Sequence, residues 1–157
     1  MRIRREAIEP VDPAAQFSLG TRYKKGEGVP KDGTKAIMWY HKAAEQGHVA
    51  AQFSLGMCYL TGDCVPRDHA ESVKWISKAA EQGDAASQAC LGSAYDTGLG
   101  VPKDYVMAYM WYNLVATNGN GHAAKMLDII GHSMTAEQIA KAQKLSREWK
   151  PKKESKD

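Results

Sequence analysis

Ala15-Gln-Phe-Ser-Leu-Gly20 and Ala51-Gln-Phe-Ser-Leu-Gly56 are one hexapeptide written twice, 36 residues apart. The same spacing holds outward from this pair without slippage. Gly20, Gly56 and Gly92 keep step, as do Tyr23, Tyr59 and Tyr95, then Gly26, Gly62 and Gly98. Val29, Val65 and Val101 follow, with Pro30, Pro66 and Pro102, Asp32, Asp68 and Asp104, Trp39, Trp75 and Trp111, and Gly47, Gly83 and Gly119. Eight columns in register over three copies define a 36-residue repeat. One copy of that length cannot bury its own apolar face, so copies must stack.

Each copy reads as two helices. The first spans about 14–25, with Ala15, Leu19 and Tyr23 on one face. Asp12, His48, Asp84 and Asn120 form its N-cap column; three of these carry oxygen acceptors of the preferred kind. Pro13 stands at N1, where its missing N–H costs nothing. Gly-x-Gly-Val-Pro then breaks the helix. Asp32, Asp68 and Asp104 cap the second helix, which carries Ala36, Trp39 and Ala43 on one face and stops at Gly47. Glycine inside a helix costs about 1 kcal/mol against alanine. Its recurrence at 20, 56 and 92 therefore predicts a close approach of two helix backbones, with the tryptophan column filling the space elsewhere between them.

The chain divides into a degenerate repeat remnant (1–12), repeats at 13–48, 49–84 and 85–120, a partial fourth repeat (121–131), a C-terminal capping helix (132–149) and a basic tail (150–157). The remnant is suggested by shared Ala, Glu, Ala, Ala and Gln between 7–16 and 43–52. Thr135-Ala-Glu-Gln138 is a capping box that opens a helix with Ile139, Ala142, Leu145, Ser146 and Trp149 on one stripe.

At 43% hydrophobic and 25% charged residues the chain is too apolar for a disordered one. The net charge of +3 is too small to imply a polyanion partner, and it is concentrated after residue 140, where seven basic residues face three acidic ones. No apolar run approaches the roughly 20 residues of a membrane span, and no apolar stretch follows the basic start, so neither insertion nor a secretory signal is expected. Cys58, Cys64 and Cys90 are an odd set without paired spacing, which favours a reducing, cytoplasmic compartment.

Ala-Gln-Phe-Ser-Leu-Gly (15–20, 51–56), Gly-Glu-Gly-Val-Pro-Lys-Asp (26–32) and Lys-Ala-Ala-Glu-Gln-Gly (42–47, 78–83) resemble the Sel-one-like repeat, a relative of the tetratricopeptide repeat, over residues 13–131. The resemblance implies an all-α fold: a right-handed solenoid of antiparallel helix pairs with the first helices lining the concave side. It also implies a protein–protein adaptor rather than an enzyme. Cys64 departs from the pattern, standing where Gly28 and Gly100 are glycine; a positive φ there would cost about 1–2 kcal/mol.

Chemistry finds little support. A cysteine-rich branch of the family is associated with β-lactams, but the paired cysteines of each repeat are missing here, and no Ser-x-x-Lys occurs. Asp96-Thr-Gly98 matches the aspartic-protease tripeptide by letter only, with no second such motif to share a proton. Gly26-Glu-Gly28 and Gly98-Leu-Gly100 lack the further glycine and lysine of a phosphate loop. The five histidines show no metal-ligand spacing, and His48 and His69 are expected at the surface. Nucleic-acid or anionic-surface binding by the basic tail is the weaker alternative, with only Trp149 as a stacking group. No catalytic residue, metal, cofactor or nucleic-acid partner is expected.

The expected partner is a protein or peptide. If Ala15, Gln16, Leu19, Gly20 and Tyr23 face the interior, the opposite arc carries Phe17, Thr21 and Lys24, beside Lys25, in the first copy. It carries Phe53, Met57 and Leu60 in the second and Ala89, Ser93 and Asp96 in the third. Phe17, Phe53, Met57 and Leu60 would form an apolar groove of the kind that marks a docking site.

Overall fold

The computed structural model describes residues 8–153. Within them lie eight α-helices and no strand. They are α1 (Pro13–Lys25), α2 (Gly33–Glu45), α3 (Val49–Thr61), α4 (His69–Glu81), α5 (Ala85–Thr97), α6 (Tyr105–Thr117), α7 (Gly121–Gly131) and α8 (Ala136–Glu148). Three helix pairs stack as a repeat solenoid: α1 on α2, α3 on α4 and α5 on α6, with each second helix also against the next first helix.

The caps set the boundaries. Asp12, Asp84 and Asn120 accept from the third residue of their helices, as Asp32, Asp68 and Asp104 do in the second helices. His48 does the same with its ring, Nδ1 accepting from the Ala51 amide at 3.2 Å. The turn after each first helix is closed by the tyrosine column: the carbonyls of Tyr23, Tyr59 and Tyr95 accept from the amides of Asp32, Asp68 and Asp104.

The glycine column does bring paired helices together. A Cβ on Gly20 would lie 2.7 Å from the Tyr40 ring and 3.2 Å from the Ala36 carbonyl oxygen. On Gly56 it would lie 2.6 Å from Ile76. The residues seated on the glycines are thus Tyr40, Ile76 and Tyr112, one step past the tryptophans. The tryptophans reach further than between paired helices. Trp75 shares a cluster with Leu55 of α3 and Ala43 and Ala44 of the preceding α2, and its ring meets His41 edge-on at 5.3 Å.

His41 is therefore an inter-repeat contact, with Nε2 3.2 Å from the Tyr59 hydroxyl. Burial lowers its pKa from the ordinary 6.5, against the opposing pull of Glu45 and Glu71 and with a further push from Lys74. The neutral ring is the form the fold prefers, so the unfolded chain binds the proton more readily. Its contribution to stability is present above the ordinary value of 6.5 and is lost as pH falls from there through the lower value of the folded state. We expect the urea midpoint to drop between pH 7.5 and 5.5, and to drop less in His41→Gln; equal losses in both would remove His41 from the effect.

Polar side chains tie one repeat to the next. Gln16, Gln52 and Gln88 are 5%, 0% and 3% exposed. The carboxamide of Gln52 donates to the Ala44 carbonyl at the end of α2, and Gln88 donates to Ala80 at the end of α4. A helix end leaves such carbonyls without intrahelical partners. Gln82 then donates to both Gln52 and the Gly47 carbonyl. At the N-terminus Gln46 repeats this with Gln16 and the Val11 carbonyl, so Val11 takes the place of Gly47. Residues 8–12 supply that contact without forming a helix, and Ile8 is 94% exposed.

At the other end α8, opened by the Thr135–Gln138 capping box, packs on α6. Ala142 and Ser146 are buried there, the Ser146 hydroxyl accepting from Asn113, and Trp149 meets Trp111 at 6.1 Å. The chain beyond runs to the end of α4, where the Lys152 amide donates to the Glu81 carbonyl.

Candidate functional site

A first helix in this solenoid is packed on three sides. Gly20, Gly56 and Gly92 face the paired second helix. Ala51, Leu55 and Tyr59 face the preceding repeat, packing with Tyr40, Ala43 and Ala44. The third side turns toward the following repeat: Phe17 stacks on Tyr40 of its own paired helix at 5.5 Å and lies 5.0 Å from His48, the N-cap of α3. Phe53 packs against the cluster around Ile76 and Leu91.

What stays open is a narrower arc than the sequence indicated. Ala14, Ala50, Ala86, Ser18, Thr61, Ser93 and Thr97 are exposed, and Thr21, Ser54, Met57 and Cys90 are half-buried on the same side. Of the expected site, Thr21, Met57 and Ser93 lie on this arc. Phe17, Phe53, Lys24, Leu60, Ala89 and Asp96 lie on its flank, toward the following repeat, and all are half-buried. Ala14 and Ser18 and their counterparts 36 residues on are not among the residues expected at the groove; small side chains at such positions read as filler until the third packed side is known.

The chemistry of the arc changes along the solenoid. At the first junction the Lys24 ammonium bridges to Asp63 at 3.1 Å and lies 3.9 Å from the Cys58 sulfur. Burial works against that charge, but the bond to Asp63 and the nearby Cys58 outweigh it and raise the Lys24 pKa. Burial likewise pushes the Cys58 thiol up, against the pull of Lys24. At the second junction Leu60 and Leu99 replace the ion pair, and a cavity of about 120 Å³ opens between α3, α4 and α5. His69, expected at the surface, is half-buried on its wall.

The other motifs are absorbed by the scaffold. The Thr97 hydroxyl donates to the Ser93 carbonyl, and Gly98 is the left-handed C-cap of α5. Cys64 holds the positive φ of 68° that its place in the turn requires. Among the described residues no group of three or more His, Cys, Asp or Glu is placed to hold a metal ion, and no helix is long and apolar enough to cross a membrane. In the C-terminal segment Lys144 pairs with Glu148 and Lys152 with Glu81. Lys156 lies outside the described residues.

No curated protein matches the chain. Among solved structures it is similar to a Sel1 repeat protein from Oxalobacter formigenes, 41% identical, over 74% of this chain and 88% of that one, with a TM-score of 0.69. It is also similar to a protective antigen of uropathogenic Escherichia coli strains displaying an SLR fold. There the identity is 33% and the TM-score 0.70, over 87% of this chain but 37% of that one. Repeats of this kind serve generally as non-catalytic scaffolds for protein interactions. Since the Sel1 repeat matches three times in succession, at residues 13–48, 49–84 and 85–120, this chain belongs to the Sel1 repeat family.

Proposed function

We propose that the chain holds a segment of another protein, a helix or an extended peptide, along the open face of α1, α3 and α5. The observation that supports this most is the composition of that face. Small side chains run down its centre at Ala14, Ser18, Ala50, Ser54, Ala86 and Ser93, leaving room for a guest backbone. Phe17, Phe53 and Leu60 flank it, and Met57 stands on it, with apolar area still to be buried. Each offers a fraction of the roughly 1.5–3 kcal/mol that full burial of such a side chain gives. Along the path Lys24, bridged to Asp63, and Lys25, near Glu27, stand at one end and Asp96 at the other, as polar groups that select among guests. Three cysteines without disulfides support a reducing, cytoplasmic setting.

The test is a photo-reactive amino acid placed in turn at Ser54, Ser93 and Met38, the last being exposed on α2. We expect one and the same protein to be crosslinked from Ser54 and Ser93, and not from Met38. Met57→Glu should reduce both crosslinks at least tenfold. Crosslinking from Met38 alone would move the binding surface to the second helices.

A further inference from the structure

We propose that the cleft between α6, α7 and α8 binds an alkylguanidinium group, the side chain of an arginine in a partner protein. The cleft lies on the side of α7 that corresponds to the paired-helix side of α1, α3 and α5. It stands apart from the open face and does not depend on it.

A break in the glycine column makes the cleft. Gly20, Gly56 and Gly92 admit the paired helix in the first three copies, with Tyr40, Ile76 and Tyr112 seated on them. The next position in step is Asp128, which is exposed. α7 thus offers a carboxylate where the earlier first helices offer a hollow, and this keeps a second helix from closing on it. α8 packs on α6 instead, with Ile139 beside Gly131 at the end of α7. What remains is a cleft of about 260 Å³ lined by Tyr109, Leu127, Asp128, Gly131, His132 and Ile139. Gly131 keeps its floor open: a Cβ there would lie 3.9 Å from both Ile139 Cδ1 and Tyr109 Cε2.

The lining selects a cation carried on an aliphatic stem. Asp128 makes no ion pair among the described residues, so its charge is available to a partner. The His132 ring donates from Nδ1 to the Asp128 carbonyl, since a carbonyl can only accept. In the neutral ring this leaves Nε2 as a second acceptor beside the carboxylate. Leu127 and Ile139 give apolar walls for a methylene stem, and Tyr109 gives an aromatic one. An anion would meet the Asp128 charge, and an apolar group would make no use of it. Lysine would bring a point charge; arginine brings a flat group of several donors that also stacks on aromatic faces, so it suits two acceptors beside a tyrosine.

The probes are N-acetylargininamide, which presents the side chain between peptide bonds as a protein does, and N-acetylcitrullinamide, its neutral isostere. Each is titrated into the full 15N-labelled chain. We expect amide shifts centred on Leu127, Asp128, His132 and Ile139. The arginine probe should bind about fivefold tighter, the combined scale of an exposed ion pair and a cation–π contact. N-acetyllysinamide should fall between the two. Raising the salt to about 0.5 M should narrow the preference. Asp128→Asn, at an exposed position, should abolish the preference while weak binding of both probes remains. Gly131→Leu fills the floor at a residue whose φ is not positive, and should abolish binding altogether. Equal affinity for the arginine and citrulline probes in the wild-type chain, shifts centred elsewhere, or an undiminished preference in Asp128→Asn would each overturn the site. The wild-type titration requires no variant to fold. Free L-arginine binding more tightly than N-acetylargininamide would overturn the partner protein as the source of the group.

Discussion

Gly100→Ala should lower the folding free energy by about 3 kcal/mol, seen as a fall in urea midpoint at unchanged m-value. Gly100 has a φ of 80°, where an L side chain costs about 1–2 kcal/mol. Its Cβ would run into the His69 peptide, with the carbonyl carbon at 2.6 Å and Val73 Cγ2 at 2.9 Å. Forcing atoms into such contact costs typically 1–3 kcal/mol more. The first junction uses the opposite arrangement. Cys64 stands in the Gly100 column at a φ of 68°, while Gly33 stands in the column of His69. A Cβ on Gly33 would meet the Cys64 Cβ at 2.9 Å. One member of each pair must be glycine: Gly33 opposite Cys64, His69 opposite Gly100. Cys64→Gly should accordingly be neutral to stabilising, by up to about 1 kcal/mol, since relief of φ strain is partly offset by a more flexible unfolded chain. A Gly100→Ala variant within 0.5 kcal/mol of wild type would show that the turn relaxes freely, and would remove the pairing argument.

Gln52→Met should cost about 1–3 kcal/mol although the two side chains have nearly the same length. The substitution leaves no large cavity. It leaves the Ala44 carbonyl without its side-chain donor and takes the acceptor from Gln82. Two net hydrogen bonds are lost, each worth about 0.5–1.5 kcal/mol, while the Ala44 carbonyl keeps the Gly47 amide and Gln82, half-buried, keeps its bond to the Gly47 carbonyl. Because the bond crosses between repeats, its loss should uncouple them: the transition should broaden as well as shift, as expected when the nearest-neighbour term of a solenoid weakens. Gln16→Met, at the end of the array, should cost less and leave the transition sharp. A Gln52→Met protein as stable and as cooperative as wild type would reassign the column to simple filling.

Much of the fold was legible in the sequence because caps and glycine turns act over three or four residues. Asp12, Asp32 and Thr135 cap the helices they precede, and the positive φ at Cys64 followed from its place in a glycine column. Other roles became visible only when a partner from another repeat was in view. Gln16 and Gln52 could be placed on an inward face, but not matched to carbonyls and carboxamides across the repeat boundary. The tryptophans could be paired with their own helix, but not with His41 of the repeat before.

The candidate site shows the same division. Heptad-like reasoning gives a helix one inner face and one outer face, and on that basis Phe17, Lys24, Phe53 and Leu60 belong outside. Stacking gives each first helix a third packed side, which draws those residues toward the next repeat and turns the open arc to Ala14, Ser18 and Thr21 and their counterparts. The sequence by itself determined the repeat length, the helix pairs and their ends, because each depends on backbone rules that a few neighbouring residues satisfy. The tertiary structure decided which surface stays open and where a cavity remains, because both depend on how side chains 36 residues apart fill the junction between repeats.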